Sequence, residues 1–489
     1  LDGGMSAVEV ANCIRYIDSY ADSVGQPCVI SLSVSTPNGQ HDGQDYLSRV
    51  VKGIMGPGRI FVVAAGNNAG AKFYAHGMAT PSSPINLMFK CKNTIGGDST
   101  YYYRGVKADI WVRRESTNMY YKFHVLDLIT GMIVWESEVF GTKAKISHSE
   151  LNGYYSCYSP LDTTGYIQAE NTYSSDGKKY HLAVDVRNLV SSSYTSVNGV
   201  RQSRYALGIT LYPRLEVMSE FDAWMCNSGS RFGVYHGIVT DMAGRQAKDF
   251  YAAPSDSCCI GSYAMGDSTI SAGAFSARNS YYSLTQNKMV TDNSFTVGDI
   301  ASFSSYEVLG TGPTGKALPD ICAPGTLVVA AANRYSYLAN STSTVMMSDN
   351  SYWGVMSGTS MAAPTVAGII ALWLQANPNL SVAQIKSVMA ATAIRDRYTQ
   401  GVHHSNFGPN GKINAFEGLM MVLKGIMPLK GDVNGDGRVS ISDVTAFIQY
   451  LLTGSDENIN LLAADADENG HINIGDLTKL ISLLLYGDN

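Results

Sequence analysis

The sequence predicts an α/β fold built on a mostly parallel sheet with helices on both faces. An inserted antiparallel β-sandwich or jelly roll interrupts it, and a small all-α domain of paired acidic loops follows. Three observations predict this. Short apolar runs at 28–32 and 60–65 alternate with helical stripes, as buried parallel strands do. Between about 76 and 250 the helical period gives way to short alternating stretches separated by turn clusters. The last sixty or so residues repeat with a period of 33.

Bulk composition narrows the function classes. At 489 residues, 45% hydrophobic and 16% charged, the chain allows about three domains of ~150 residues. A net charge of −6 gives no footprint for nucleic acid or an anionic membrane. No apolar run approaches the ~18 residues of a membrane helix. The eight cysteines (13, 28, 91, 157, 226, 258, 259 and 322) show no C-x-x-C or zinc spacing, and the expectation is mostly buried free thiols. Thirty tyrosines against fourteen phenylalanines suit an exported protein with a β-rich surface. Because residue 1 is Leu, the native start is expected upstream, with room for a removed leader and a secreted, extracellular or cell-surface location.

Each element has its local reason. Ser6-Ala-Val-Glu9 is a capping box, followed by Val10, Cys13, Ile14 and Ile17 at helical spacing. Strands are expected at 28–32 and 60–65, then at 120–128, 132–139, 180–186 and 204–211. Turns at Ile129-Thr-Gly131, Ser174-Ser-Asp-Gly177 and Val197-Asn-Gly199 separate the later ones. The α/β texture resumes near 255, with strands at 268–275 and 325–331. Val366, Ile369, Ile370, Trp373 and Leu374 make one helical stripe. Ser381-x-x-Gln384 caps a second helix through Ile385, Val388 and Met389. The histidines at 76, 403 and 404 read as loop residues, and His236 as structural or surface.

The terminal repeat speaks chemically. A hard calcium ion takes six to eight oxygens, and a loop with oxygens at positions 1, 3, 5, 9 and 12 and glycine at 6 can wrap it. Loop one offers Asp432, Asn434, Asp436, the Arg438 carbonyl, Ser440 and Asp443. Loop two offers Asp465, Asp467, Asn469, the His471 carbonyl, Asn473 and Asp476, so two Ca²⁺ are expected. Position 12 is Asp in both, a shorter reach than the usual Glu. Met427-Pro-Leu-Lys430 marks the junction. Paired loops of this kind, each followed by one helix with none before it, resemble the dockerin module over about 430–489. That resemblance implies calcium binding and a cohesin-like partner. Positions 10 and 11, Ile441-Ser442 and Ile474-Gly475, differ from the Ser-Thr pairs common in clostridial dockerins, leaving the partner type open.

Residues 358–364 read Gly-Thr-Ser-Met-Ala-Ala-Pro, with Ser360 at the start of the Val366 helix. Free N–H groups and the helix dipole there favour negative charge, which helps both a nucleophilic hydroxyl and an oxyanion. Val62-Val-Ala-Ala-Gly-Asn67 ends a buried strand in a glycine turn that presents an asparagine, a donor suited to an oxyanion. With these motifs the chain resembles a subtilisin-like serine protease over about 1–75 and 250–425. Val29-Ile-Ser-Leu-Ser-Val34 resembles the substrate-pairing strand and Ala64-Ala-Gly-Asn67 the oxyanion segment. Thr269-Ile-Ser-Ala-Gly-Ala274 and Ala301-Ser-Phe-Ser-Ser305 resemble later strands, Asp320-Ile-Cys-Ala-Pro-Gly325 the Ala-Pro-Gly turn, and 406–416 the closing segment. Thr365 stands where the family usually has His.

The resemblance implies Ser360 as nucleophile and Asn67 in the oxyanion hole. It implies that Ser31, Leu32, Ser33, Ala64, Ala65 and Gly66 line the site for a polypeptide substrate, their small apolar wall suiting an uncharged side chain. The family's Asp and His motifs precede the substrate strand, so they are expected before Leu1, on an N-terminal fragment of the same precursor. The insertion at 76–250 resembles, in position and texture, the jelly-roll insertions of some clostridial germination subtilases. The expected protein is therefore a secreted serine endopeptidase with a docking module. The alternative is a catalytically inactive subtilase scaffold used for binding or assembly. A penicillin-recognising hydrolase, suggested by Ser348-Asp-Asn350, lacks its Lys-Thr-Gly partner.

Overall fold

The structure, a computed structural model, describes residues 6–80, 82–91, 101–103, 106–112, 119–140, 161–162, 166–174, 179–187, 189–191, 194–197, 200–213, 218–226, 230–284, 286–333, 335, 353–425, 431–434, 439–455, 459–467 and 472–486. Its contacts divide into two compact units. The first comprises Leu1–Ser35, Tyr46–Asn67 and Tyr263–Asn489, and the second Thr36–Asp45 and Asn68–Ser262. Segment 36–45, read from sequence with the first α/β stretch, thus packs in the second unit.

The first unit is built on four parallel strands in the order β1 (Cys28–Leu32), β2 (Arg59–Ala64), β3 (Thr269–Phe275) and β4 (Ile321–Pro324). Their register sets Leu32 opposite Val63 and Ala64 opposite Ala272. Successive β2 side chains point to opposite faces, yet Ile60, Phe61, Val62 and Val63 are all fully buried. Both faces are therefore covered, which is why β2 reads as an unbroken apolar run.

Helices do the covering. In α1 (Ala7–Ser23) the predicted capping box forms, with the Glu9 N–H donating to Ser6 Oγ at 3.2 Å and the Ser6 N–H to Glu9 Oε2 at 2.8 Å. α2 (Tyr46–Ile54) buries Leu47 and Val51. α3 (Thr359–Ala376) packs Ala362, Val366, Ile370, Trp373 and Leu374 into one core with Ile60, Val62, Ala64, Ile270 and Ala272. α4 (Val382–Thr392) opens on its own predicted box, Ser381 with Gln384, and α5 (Ala415–Leu423) follows. α3 is long and apolar enough, at a mean hydropathy of 1.3 over 18 residues, to satisfy the length criterion for a membrane span. Its stripe is instead buried against the sheet, as in a core helix.

One expected strand is absent. Residues 301–305 form a turn, with the Ser304 N–H bonded to the Ala301 carbonyl. The serines take other work: Ser304 Oγ accepts from the Ala274 N–H at 2.9 Å, and the Ser305 N–H donates to the Gly66 carbonyl at 2.9 Å. Bonds to groups distant in sequence have outcompeted the ladder.

In the second unit two antiparallel sheets share one core. A six-stranded sheet runs Tyr166–Tyr173, Tyr180–Arg187, Val106–Val112, Ser219–Met225, Tyr74–Ala79, Pro254–Ser255. A five-stranded sheet runs Ser230–Gly233, Ile85–Cys91, Tyr205–Pro213, Met119–Asp127, Ile133–Glu136. Leu182, Ile110 and Phe221 of the first cluster with Phe89, Ile209 and Phe123 of the second. His76, read from sequence as a loop residue, lies inside the Tyr74–Ala79 strand. Among the six described free cysteines, Cys258, Cys259 and Cys322 are buried and Cys13 is exposed.

At the C-terminus α6 (Ile441–Thr453) and α8 (Ile474–Tyr486) follow the two acidic loops and share a small core of Val433, Val444, Phe447, Leu477 and Leu480. A one-turn helix, α7 (Leu461–Ala464), precedes the second loop, where none was expected; the Asn460 side chain caps it by accepting from the Ala463 N–H.

Candidate active site

Ser360 is the second residue of α3, after Gly358 as N-cap. Its backbone N–H falls in the first helical turn, where no i−4 carbonyl is available. The Ser360 hydroxyl donates to the Ser33 carbonyl at 3.1 Å, and Ser33 Oγ donates back to the Ser360 carbonyl at 2.8 Å. This reciprocal pair ties the end of β1 to the start of α3. Ser360 is half-buried, while Ser33 and Asn67 are exposed.

Asn67 is held by a residue that sequence reasoning passed over. Thr359 donates from its N–H at 2.9 Å and from its hydroxyl at 3.0 Å, both to Asn67 Oδ1. Thr359 Oγ1 in turn accepts the Gly66 N–H at 3.1 Å. Two donors on one oxygen settle the amide orientation and leave Nδ2 as the outward donor. Thr359 is only 1% exposed, and these bonds satisfy its buried hydroxyl.

Gly66 adopts φ +114°, a region closed to most side chains, and a β-carbon there would lie 2.7 Å from Ser35 Oγ and 3.0 Å from Ser305 Oγ. We expect Gly66→Ala to destabilise the first unit by roughly 2 kcal/mol, read as a lowered midpoint in chemical denaturation.

Of the other expected lining residues, Ala64 and Ala65 are buried at the end of β2. Ser31 is exposed within β1, and Leu32 is half-buried at its end. The structure thus draws Ser33, Gly66, Asn67 and Ser360 into one hydrogen-bonded cluster with Thr359. Ser348-Asp-Asn350 lies outside the described residues.

The two terminal loops repeat one geometry. Asp443 accepts from the Asn434 N–H at 3.0 Å and the Ser440 N–H at 2.8 Å. Asp476 accepts from the Asp467 N–H at 3.1 Å and the Asn473 N–H at 2.9 Å. Each position-12 carboxylate therefore folds back on its loop and caps the helix that follows. Asp432, Asp443 and Asp476 are buried. Carboxylate oxygens of Asp465, Asp467 and Asp476 lie within 4.8 Å of one another, an arrangement suited to a hard cation. Asp436, Arg438, Asn469 and His471, and the junction 427–430, lie outside the described residues.

The subtilase family profile matches residues 167–414, just over half of the chain. The chain belongs to the subtilase family. A dockerin type I domain matches residues 430–485 of this subtilase. Among curated relatives, serine protease AprX of Bacillus subtilis is 41% identical over 92 residues, 18% of this chain and 19% of that protein. Subtilisin-like protease SBT1.9 of Arabidopsis thaliana is 41% identical over 76 residues, 16% of this chain and 10% of that protein. The subtilase chain thus spans a fifth or less of the length of these two relatives. Among solved structures, the Clostridium perfringens CspB protease superposes with a TM-score of 0.55 at 16% identity, over 86% of this chain and 72% of that one. That likeness concerns the fold.

Proposed function

We propose that this subtilase is a secreted serine endopeptidase that cleaves polypeptides through an acyl-enzyme on Ser360. The observation that carries the reading is the cluster joining Ser360 to Ser33 and, through Thr359, to Asn67. Ser360 Oγ attacks the scissile carbonyl carbon. Its proton passes to a histidine oriented by an aspartate, both on a segment preceding Leu1. The Asn67 amide and the Ser360 N–H donate to the oxyanion, the amine leaves, and water releases the acyl group. Ser31, Leu32, Ser33, Ala64, Ala65 and Gly66 line the substrate path. Among the described residues β1 is an edge strand, so its free side can accept the further strand such a segment would bring. Residues 1–75 and 250–425 carry the chemistry, and 76–250 form an inserted β-sandwich.

Residues 430–489 supply a docking module that binds two Ca²⁺ through the twelve loop residues named above, and it engages a cohesin-like domain. Its support is a duplicated surface. Ile441, Ile448 and Leu452 on α6 and their 33-residue repeats Ile474, Ile481 and Leu485 on α8 are all exposed apolar side chains.

A fluorophosphonate probe applied to the protein with its companion segment should modify Ser360, read by peptide mass spectrometry, and Ser360→Ala should abolish the label. One observation favours the inactive-scaffold reading: among the described residues the Ser360 hydroxyl bonds a carbonyl, not an imidazole. Absence of label with the companion segment demonstrably present would decide for that scaffold.

A further inference from the structure

Segment 36–45 is a strap on the second unit. The Ser262 N–H donates to the Thr36 carbonyl at 2.9 Å, and the Gly39 N–H to Asp109 Oδ2 at 3.1 Å. Asp42 pairs with Lys179, and Asp45 Oδ2 accepts from Ser262 Oγ at 3.0 Å. At its centre His41 is wholly buried and lies flat on Trp224, with ring centroids 4.1 Å apart and planes 8° from parallel. Nε2 faces the Pro37 carbonyl at 2.9 Å. A carbonyl only accepts, so Nε2 carries the proton and Nδ1 is a bare lone pair. That Nδ1 is buried with no hydrogen-bond partner among the described residues. The His41 backbone is also left-handed, at φ +50°, an uncommon conformation for a residue with a β-carbon.

We propose that His41 is a proton-operated latch: the strap closes over the sheet only while His41 is neutral, and acidification opens it. A second proton would have to sit on Nδ1, which is buried with no hydrogen-bond acceptor among the described residues. The charged groups facing the ring are Asp109 of Val106–Val112, Asp222 of Ser219–Met225 and Asp45 of the strap itself. Each carboxylate already has a partner: Asp109 accepts from Gly39, Asp222 from Tyr74 at 2.6 Å, and Asp45 from Ser262. Burial, offset by the Pro37 carbonyl and these carboxylates, holds the imidazole below its ordinary value. The sign follows. An opened His41 titrates near 6.5, so closure is fully present above about pH 6.5 and weakens as pH falls. Opening should rise about fivefold over the first pH unit below that point and approach tenfold per unit thereafter, until the closed form itself takes up the proton. The strap continues directly from Ser33, three residues before Thr36.

Amide hydrogen exchange of peptides covering 36–45 tests the latch without reference to proteolysis. With intrinsic rates corrected, the wild-type opening constant should rise about fivefold between pH 6.5 and 5.5. His41→Phe, which keeps a flat ring on Trp224 but cannot titrate, should stay level. His76 and His181 contact Asp222 and Asp109, so the difference between variant and wild type, not pH alone, isolates His41. A level wild type, or an equal rise in the variant, overturns the proposal. Should His41→Phe fail to fold, exchange at the imidazole C2 carbon of the wild type gives the His41 midpoint directly, and a value at or above 6.5 overturns it.

Discussion

Asn67→Leu is expected to lower kcat by about 10²–10³-fold, or ~3–4 kcal/mol of barrier, with little change in KM. Leucine keeps the shape and removes the donor. The size rests on preorganisation: Thr359 fixes the Asn67 amide through two bonds to Oδ1, so under the proposed mechanism Nδ2 would meet the developing charge without reorienting. A donor that acts only on the oxyanion moves kcat and leaves ground-state binding alone. Steady-state kinetics on a peptide substrate, with the companion segment present, would check it. A rise in KM at constant kcat would assign Asn67 to substrate binding instead. Thr359→Val, which removes the hydroxyl but not the N–H bond, should fall between wild type and Asn67→Leu.

Calcium removal is expected to have the largest effect on stability. Three carboxylates of one loop share a space of 4.8 Å. At that spacing each like-charge pair costs about 3 kcal/mol at an effective dielectric of 20. The apolar core beneath them is small, centred on Val433, Val444, Phe447, Leu477 and Leu480, and it cannot carry that load alone. Excess chelator should therefore melt α6 and α8 in the full-length protein, seen as lost helical ellipticity and a separate low-temperature calorimetric transition. Calcium at about 1,000 times its Kd should restore roughly 4 kcal/mol per site. Because Asp443 and Asp476 also cap their helices, Asp476→Ala should weaken α8 even at saturating calcium. A thermal profile identical with and without chelator would remove calcium from the structural account.

How legible this was depended on how local the cause was. Both capping boxes, the buried β2 run and the placement of Ser360 at a helix start follow from spacings within a few residues, and the structure shows each of them. The turn at 301–305 was misread because its serines answer to distant groups, the Ala274 N–H and the Gly66 carbonyl. His76 was misplaced because its strand pairs with Ser219–Met225, some 140 residues away. Thr359 escaped notice because its neighbour Ser360 has the more conspicuous chemistry. The strap at 36–45 was hidden for a related reason: its anchors Asp109, Lys179, Trp224 and Ser262 are scattered along the chain.

The Ser33–Ser360 pair spans 327 residues, and the Thr359–Asn67 bond spans 292. During synthesis at about 5–20 residues per second, Ser33 and Asn67 emerge tens of seconds before their partners. Ser33 and Asn67 therefore wait for these partners until α3 is made. The hydroxyl of Ser360 follows all four strands of the parallel sheet, so no nascent chain short of α3 carries it.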